Sequence, residues 1–165
     1  MARRSSRKDV QQPMRISPDE SRDLFTRARV ARLATVGVDL DPHLVPVTFA
    51  VVGGVDQPEG DDLITFAVDH KPKSTPALRR LDNIAANPKV CFLVDDYDDD
   101  DWRRLRWVRA DARAGVLDGP VRERALAALV AKYPQYQRVP PTGTVVGAAV
   151  LRWSGWRAAP HPDLP

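Results

Sequence analysis

Leu63-Ile64-Thr65-Phe66-Ala67-Val68-Asp69-His70-Lys71-Pro72-Lys73-Ser74-Thr75-Pro76 is the stretch on which the reading of the fold turns. Its first six residues are an apolar run of the right length for a buried strand. Ala77 to Ala86 reads as a helix, which Asn87-Pro88 stops, because the residue before a proline is driven out of the helical region. Lys89-Val90-Cys91-Phe92-Leu93-Val94 follows as a second apolar strand. Two lysines, a serine and a threonine thus lie between a strand and a helix start. A helix start offers unpaired N–H groups and partial positive charge, so Lys71 and Lys73 beside it make a seat for a phosphate. The stretch lacks the glycines and spacing of a Walker loop. On spacing alone, an ordinary connection with solvated lysines is the better reading.

Outward from this stretch the chain is rich in strands. Ser17-Pro18-Asp19-Glu20 is a helix start with a capping serine, a proline in the first turn and a glutamate to close a capping box. That helix is expected to run to Ala28. Val30 to Val36 reads as a strand, and Gly37 with Asp39, Asp41 and Pro42 as a turn. His43 to Val52 reads as one strand interrupted by Pro46. A proline cannot donate to a ladder, so that strand lies at an edge, is bulged, or faces something other than a strand.

Gly53 to Asp62 reads as a polar hairpin loop. Asp95 to Asp101 holds six aspartates in seven residues, but lacks the glycine and glutamate of a calcium loop and reads as solvated. No metal site is expected. Leu105 to Val116 alternates cleanly. Arg106, Val108, Ala110, Ala112, Ala114 and Val116 share one face, small and mostly apolar, suited to a barrel interior. Leu105, Trp107, Arg109, Asp111 and Arg113 share the other, suited to an interface or a ligand. Val121 to Tyr133 reads as a helix ended by Pro134, residues 135–143 as a loop, and Thr144 to Arg157 as a last strand. Trp153 and Trp156 suggest a covering segment or a dimer contact. The expected fold is α+β, a mainly antiparallel barrel with flanking helices.

At 165 residues, 43% of them hydrophobic, the chain makes one domain with one sizeable core. The expected division is a disordered basic tail over 1–15, a folded domain over 16–158 and a loose tail over 159–165. Five basic residues against one acidic make the first fifteen +4. The whole chain is +3, which leaves the body near neutral at −1. No aromatic residue is interleaved with the tail's charges, so nucleic-acid binding is not expected. No apolar run approaches the ~18–20 residues of a membrane helix, and no signal peptide is read at the start. Cys91, the single cysteine, excludes an internal disulfide, fits a reducing cytoplasm and reads as packing.

Ser17 to Trp156 resembles the split-barrel flavin-binding proteins related to pyridoxamine 5′-phosphate oxidase. Within them it is most similar to oxidoreductases that use the deazaflavin coenzyme F420. The resemblance rests on Val30-Ala31-Arg32-Leu33-Ala34-Thr35, on Pro42-His43-Leu44-Val45-Pro46-Val47-Thr48-Phe49, and on Asp69-His70-Lys71-Pro72-Lys73-Ser74. Asn87-Pro88, Trp107-Val108-Arg109-Ala110 and Arg152-Trp153-Ser154-Gly155-Trp156 complete it.

The resemblance implies a homodimer with a cofactor between the subunits. Pro46, Val47 and Thr48 would offer backbone groups to the ring. Lys73 and Ser74 would hold the phosphate, supported by Lys71, Thr75 and Arg79. Trp107, Arg109, Trp153 and Trp156 would come from the partner. The implied activity is hydride transfer from reduced F420 to a small unsaturated or redox-active acceptor. FMN in the same fold, or a non-catalytic cofactor carrier, are the alternatives. The helix after Lys73 is longer than in the oxidase, a departure that bears on Arg79 and Arg80. No residues match the oxidase's substrate-phosphate positions. The cofactor carries the hydride, so no acid–base residue is assigned; His43, His70 and Tyr97 are the titratable groups considered.

Overall fold

The computed structural model describes residues 14–53, 62–68 and 76–158, with side chains of the second helix described from Arg79 onward. In chain order these form β1 (Met14–Ile16), α1 (Pro18–Arg27), β2 (Ala31–Val36), β3 (Pro42–Val47), β4 (Ala50–Val52) and β5 (Leu63–Ala67). Then come α2 (Pro76–Ala86), β6 (Lys89–Asp96), β7 (Arg106–Val116), α3 (Gly119–Lys132), α4 (Pro134–Arg138) and β8 (Val145–Arg157). The Ser17 hydroxyl caps α1 by accepting from the Glu20 N–H at 3.2 Å.

The ladders are antiparallel and the strands follow the order β3-β2-β6-β7-β8-β5-β4, with β1 also on β8. β3 and β4 stand at opposite ends of that order, yet only Thr48 and Phe49 separate them in the chain. Three peptide units reach at most about 11 Å, so the two ends must meet and the sheet must roll up. The antiparallel α+β barrel expected from the strand count, and the split barrel that the resemblance implies, agree with the fold observed. Its interior is lined by alternate residues, among them Leu33, Phe66, Phe92, Val108, Ala110, Ala112, Val146 and Ala148. Alanines along β7 leave room for the rings of Phe25, Phe49, Phe66 and Phe92, which are fully buried. Helix α1 lies close to β8 because residue 155 is glycine: a Cβ there would meet the Ser21 hydroxyl oxygen at 2.6 Å.

Several expectations are corrected. His43 to Val52 is two strands, not one, and they belong to opposite ends of the sheet. Pro46 sits on β3, which pairs only with β2 among the described strands, where a missing donor is tolerated. Pro134 opens α4 rather than a loop, since proline fits the first turn of a helix. Met14 and Arg15, placed in the basic tail, belong to β1. Trp153 covers the core of its own chain. Its ring packs on Phe25 with centroids 5.1 Å apart, and its indole N–H donates to Asp62 at 3.0 Å.

Among the described residues no helix is long and apolar enough to cross a membrane.

Beneath α3 a smaller cluster gathers Ala50, Ala67, Ala125, Leu129, Tyr133, Tyr136 and Val145. Lys132 borders it. Its amine donates to the Thr26 carbonyl at 2.9 Å and lies 3.9 Å from the Phe49 ring centre. Burial, aided by the nearby Arg29 charge, lowers its pKa to about 8. The unfolded chain therefore holds this proton up to a higher pH than the folded one. Stability from this group rises as pH climbs through about 8 toward the ordinary lysine value. Urea midpoints of wild type and Lys132→Met are expected to diverge in favour of wild type between pH 7 and pH 10. The gain is on the order of 1 kcal/mol, discounted for the half-exposed amine. A pH-independent difference would refute the assignment.

Candidate functional site: the outer face of the barrel

Strand register assembles the outer face in rows. One row runs Pro46, Arg32, Leu93, Arg109, Ser154 across β3, β2, β6, β7 and β8. The next runs Leu44, Ala34, Cys91, Asp111, Arg152. A third joins Asp95, Trp107 and Trp156. Between these rows lies an open groove of about 650 Å³, bounded by Arg32, Ala34, Leu44, Cys91, Leu93, Asp95, Trp107 and Arg109. That volume is in the range of small-molecule sites. The floor is apolar and the rim is charged. A second groove of about 490 Å³ shares Arg32, Asp95 and Trp107 and continues past Arg27, Arg29 and Arg106.

The rim charges are organised. Arg32 pairs with Asp95 across β2 and β6. Asp111 accepts from Arg152 at 2.6 and 2.9 Å and lies 3.2 Å from Arg109. Burial acts to raise the Asp111 carboxyl, but the Arg152 hydrogen bonds and the two guanidinium charges outweigh it and hold the group below its ordinary value. Asp111 is thus a fixed anion that orients two arginines. Cys91 also lines the groove, which corrects its reading as packing. Burial pushes its thiol up and the Asp111 charge adds to this. Both effects disfavour the thiolate form that a nucleophile needs.

The groove brings together only some of the residues singled out from sequence. Trp107 and Arg109 line it. Pro46 stands beside Arg32 in register. The Val47 side chain points into the core at 6% exposure, so only its backbone is available. Thr48 is half-buried and hydrogen-bonded to the Tyr136 hydroxyl at 2.8 Å. Arg79 does not reach the groove. It faces the turn after β2, 3.6 Å from Asp39 and 3.9 Å from Asp41. Lys71, Lys73, Ser74, Thr75 and His70 lie outside the described residues. His43 is half-buried, with its Nδ1 unpartnered. Tyr97 is exposed and sits with Trp102 at 6.3 Å, away from the groove.

Arg32, Ala34, Leu44 and Leu93 were missed by sequence reasoning. The signal present was alternation in β2, where Arg32 and Ala34 interleave with Ala31, Leu33 and Thr35. In the acidic stretch the carboxylates are taken up by arginines: Asp96 by Arg106, Asp98 by Arg104, Asp101 by Arg103. Among the described residues no group of His, Cys, Asp and Glu is placed to hold a metal ion.

An antiparallel sheet rolled in this way, with helices at its ends, is a split barrel. The sequence profile of the pyridoxamine 5′-phosphate oxidase family matches residues 17–157, and the chain belongs to that family. It is 36% identical over 93 residues to the 5a,11a-dehydrotetracycline/5a,11a-dehydrooxytetracycline reductase of Streptomyces rimosus. That match takes in 56% of this chain, which spans 58% of the relative's length. A FAD-binding protein from Mesorhizobium loti superposes with a TM-score of 0.63 at 20% identity, over 89% of this chain and 99% of that one. The FAD-binding protein from Mycobacterium smegmatis does so with a TM-score of 0.54 at 20% identity, over 87% and 95%. At such identity the likeness concerns the fold.

Proposed function

We propose that the protein is a homodimeric oxidoreductase that binds reduced coenzyme F420 in the outer groove and reduces a small unsaturated or redox-active acceptor. The observation that carries this reading is the groove itself. An apolar floor of Ala34, Leu44 and Leu93, one wall of Trp107, and rim arginines 32 and 109 suit a flat, largely apolar ring carrying negative charge. When bound, the deazaflavin supplies the hydride. The chain supplies position. Trp107 bounds the ring on one side, the backbone of Pro46 to Thr48 offers hydrogen-bonding groups, and Arg32 and Arg109 meet negative charge. Lys73 and Ser74, with Lys71 and Thr75 in support, are the proposed phosphate seat. The Streptomyces rimosus relative, a reductase by name, supports the reaction class.

The groove is open along the outer face, and Leu44 is 65% exposed at its edge. A second copy laid on this face by a two-fold axis would close it and exclude water. FMN is the competing cofactor; the two structural neighbours are FAD-binding by name, and FAD carries the same ring as FMN. Titration of the purified protein with F420 and with FMN tests the choice. Tight FMN binding without F420 binding reverses the cofactor assignment, and an acceptor screen separates enzyme from carrier.

Lys73→Ala is expected to weaken cofactor binding about 10- to 150-fold, from roughly 1.5–3 kcal/mol for a charge-assisted phosphate contact. The loss should shrink at high salt if the ammonium is partly in solvent. Lys8→Ala removes the same charge from the basic tail and is the matched control. Equal losses in both variants, or none in Lys73→Ala, return the stretch after β5 to an ordinary connection.

A further inference from the structure

We propose that the hydroxyls of Tyr133 and Tyr136 form a positioning clamp that takes the place of a neighbouring strand where the barrel closes, and so fixes the strand that faces the cofactor. The inference rests on the function proposed above. At Thr48-Phe49 the chain passes from one end of the strand order to the other, and Phe49 belongs to no described ladder. The Phe49 N–H instead donates to the Tyr133 hydroxyl at 3.0 Å. The same hydroxyl lies 2.9 Å from the Phe49 carbonyl oxygen and 2.8 Å from that of Arg29. It has one hydrogen, so it donates to one of the two carbonyls at a time. In an antiparallel pair both the N–H and the C=O of a residue can exchange with one partner residue. Here a single phenol accepts from the Phe49 N–H and shares its one hydrogen between the Phe49 and Arg29 carbonyls.

The clamp has a second arm. The Tyr136 and Thr48 hydroxyls share a 2.8 Å hydrogen bond, and the two tyrosine rings meet edge-on at 5.6 Å. Both tyrosines are buried. Lys132 and Arg29 brace the same point, over the rings of Phe49 and Tyr133. The ends of α1 and α3 and the start of α4 thus converge on two residues. Directly before these lie Pro46 and Val47, on a strand with one described neighbour. Such a strand has little else to fix its end. Its backbone is the part offered to the ring, so any freedom at Thr48 becomes misplacement of those groups.

Tyr133→Phe keeps the ring and removes the hydroxyl alone. It should speed hydrogen exchange of the Phe49 amide and weaken F420 binding, each about 10-fold, as expected when a buried donor loses its partner. The absorption band of the bound cofactor should shift with it. Thr48→Val removes only the second arm and should give a smaller loss of affinity. Leu126→Ala, a partly buried residue packed on the same cluster, lowers stability without touching the hydroxyls and should leave affinity and spectrum unchanged. Equal weakening by Leu126→Ala and Tyr133→Phe would make the tyrosine merely structural and overturn the proposal. So would unchanged exchange at Phe49 in Tyr133→Phe. If wild type binds neither F420 nor FMN, the proposed function fails and the positioning role with it. Unchanged binding in Tyr133→Phe, by a wild type that does bind, overturns the clamp alone.

Discussion

Phe25→Ala is expected to lower the unfolding free energy by about 3–5 kcal/mol. Phe25 is the residue through which α1 plugs the barrel. It is fully buried, with Phe49 at 4.8 Å, Trp153 at 5.1 Å and Phe92 at 6.4 Å between ring centres. These three partners come from the β3–β4 junction, β8 and β6, so no local shift of one element can fill the space. The loss includes the transfer of the ring to water, the cavity left behind and the ring–ring contacts. For a chain of this size the melting temperature should fall by roughly 6–20 °C, at about 2–4 °C per kcal/mol. Val38→Ala is the control. Val38 is 88% exposed in the turn after β2, and its truncation should move stability by less than about 0.5 kcal/mol. A drop under about 1 kcal/mol in Phe25→Ala would mean that α1 does not plug the barrel as described.

What the sequence made legible was whatever a single element encodes in itself. The alternation along β7 separated Val108, Ala110, Ala112 and Ala114, all buried, from Trp107 and Arg109, which line the groove. Ser17 announced its cap, and Asn87-Pro88 its helix stop. The failures share a cause. The break between β3 and β4 falls at Thr48-Phe49, with no glycine or proline to mark it, and is enforced by Tyr133 and Tyr136 more than 80 residues away. Cys91 sits in a strand whose two faces are both largely apolar, so periodicity could not tell inside from outside. The groove draws Leu44, Ala34, Leu93 and Arg109 from four strands, and only the register brings them side by side. Family resemblance supplied the fold as a whole, which local pattern reached only as a class.

Leu93→Arg is expected to abolish cofactor binding and to weaken self-association on the order of 100-fold or more. Leu93 lies between Arg32 and Arg109 in the register of three adjacent strands. Residues directly opposite on neighbouring strands stand about 4.5–5.5 Å apart at Cβ. The substitution therefore sets a third guanidinium between two, in the middle of the groove floor. Arg32 and Arg109 already hold Asp95 and Asp111, so neither carboxylate is free to neutralise the newcomer. Within one subunit the cost is small, because the side chain can reach out into water. In a two-fold dimer each interface receives the change twice, and covering the face removes the water that made it tolerable. On the proposed dimer, sedimentation should show Leu93→Arg as monomer at concentrations where wild type is expected to be dimeric, with the melting curve of the subunit little changed. A Leu93→Arg protein that still dimerises and still binds its cofactor would place both interface and cofactor away from this face. Loss of cofactor with the dimer intact would keep the groove as the binding site and move the subunit contact elsewhere.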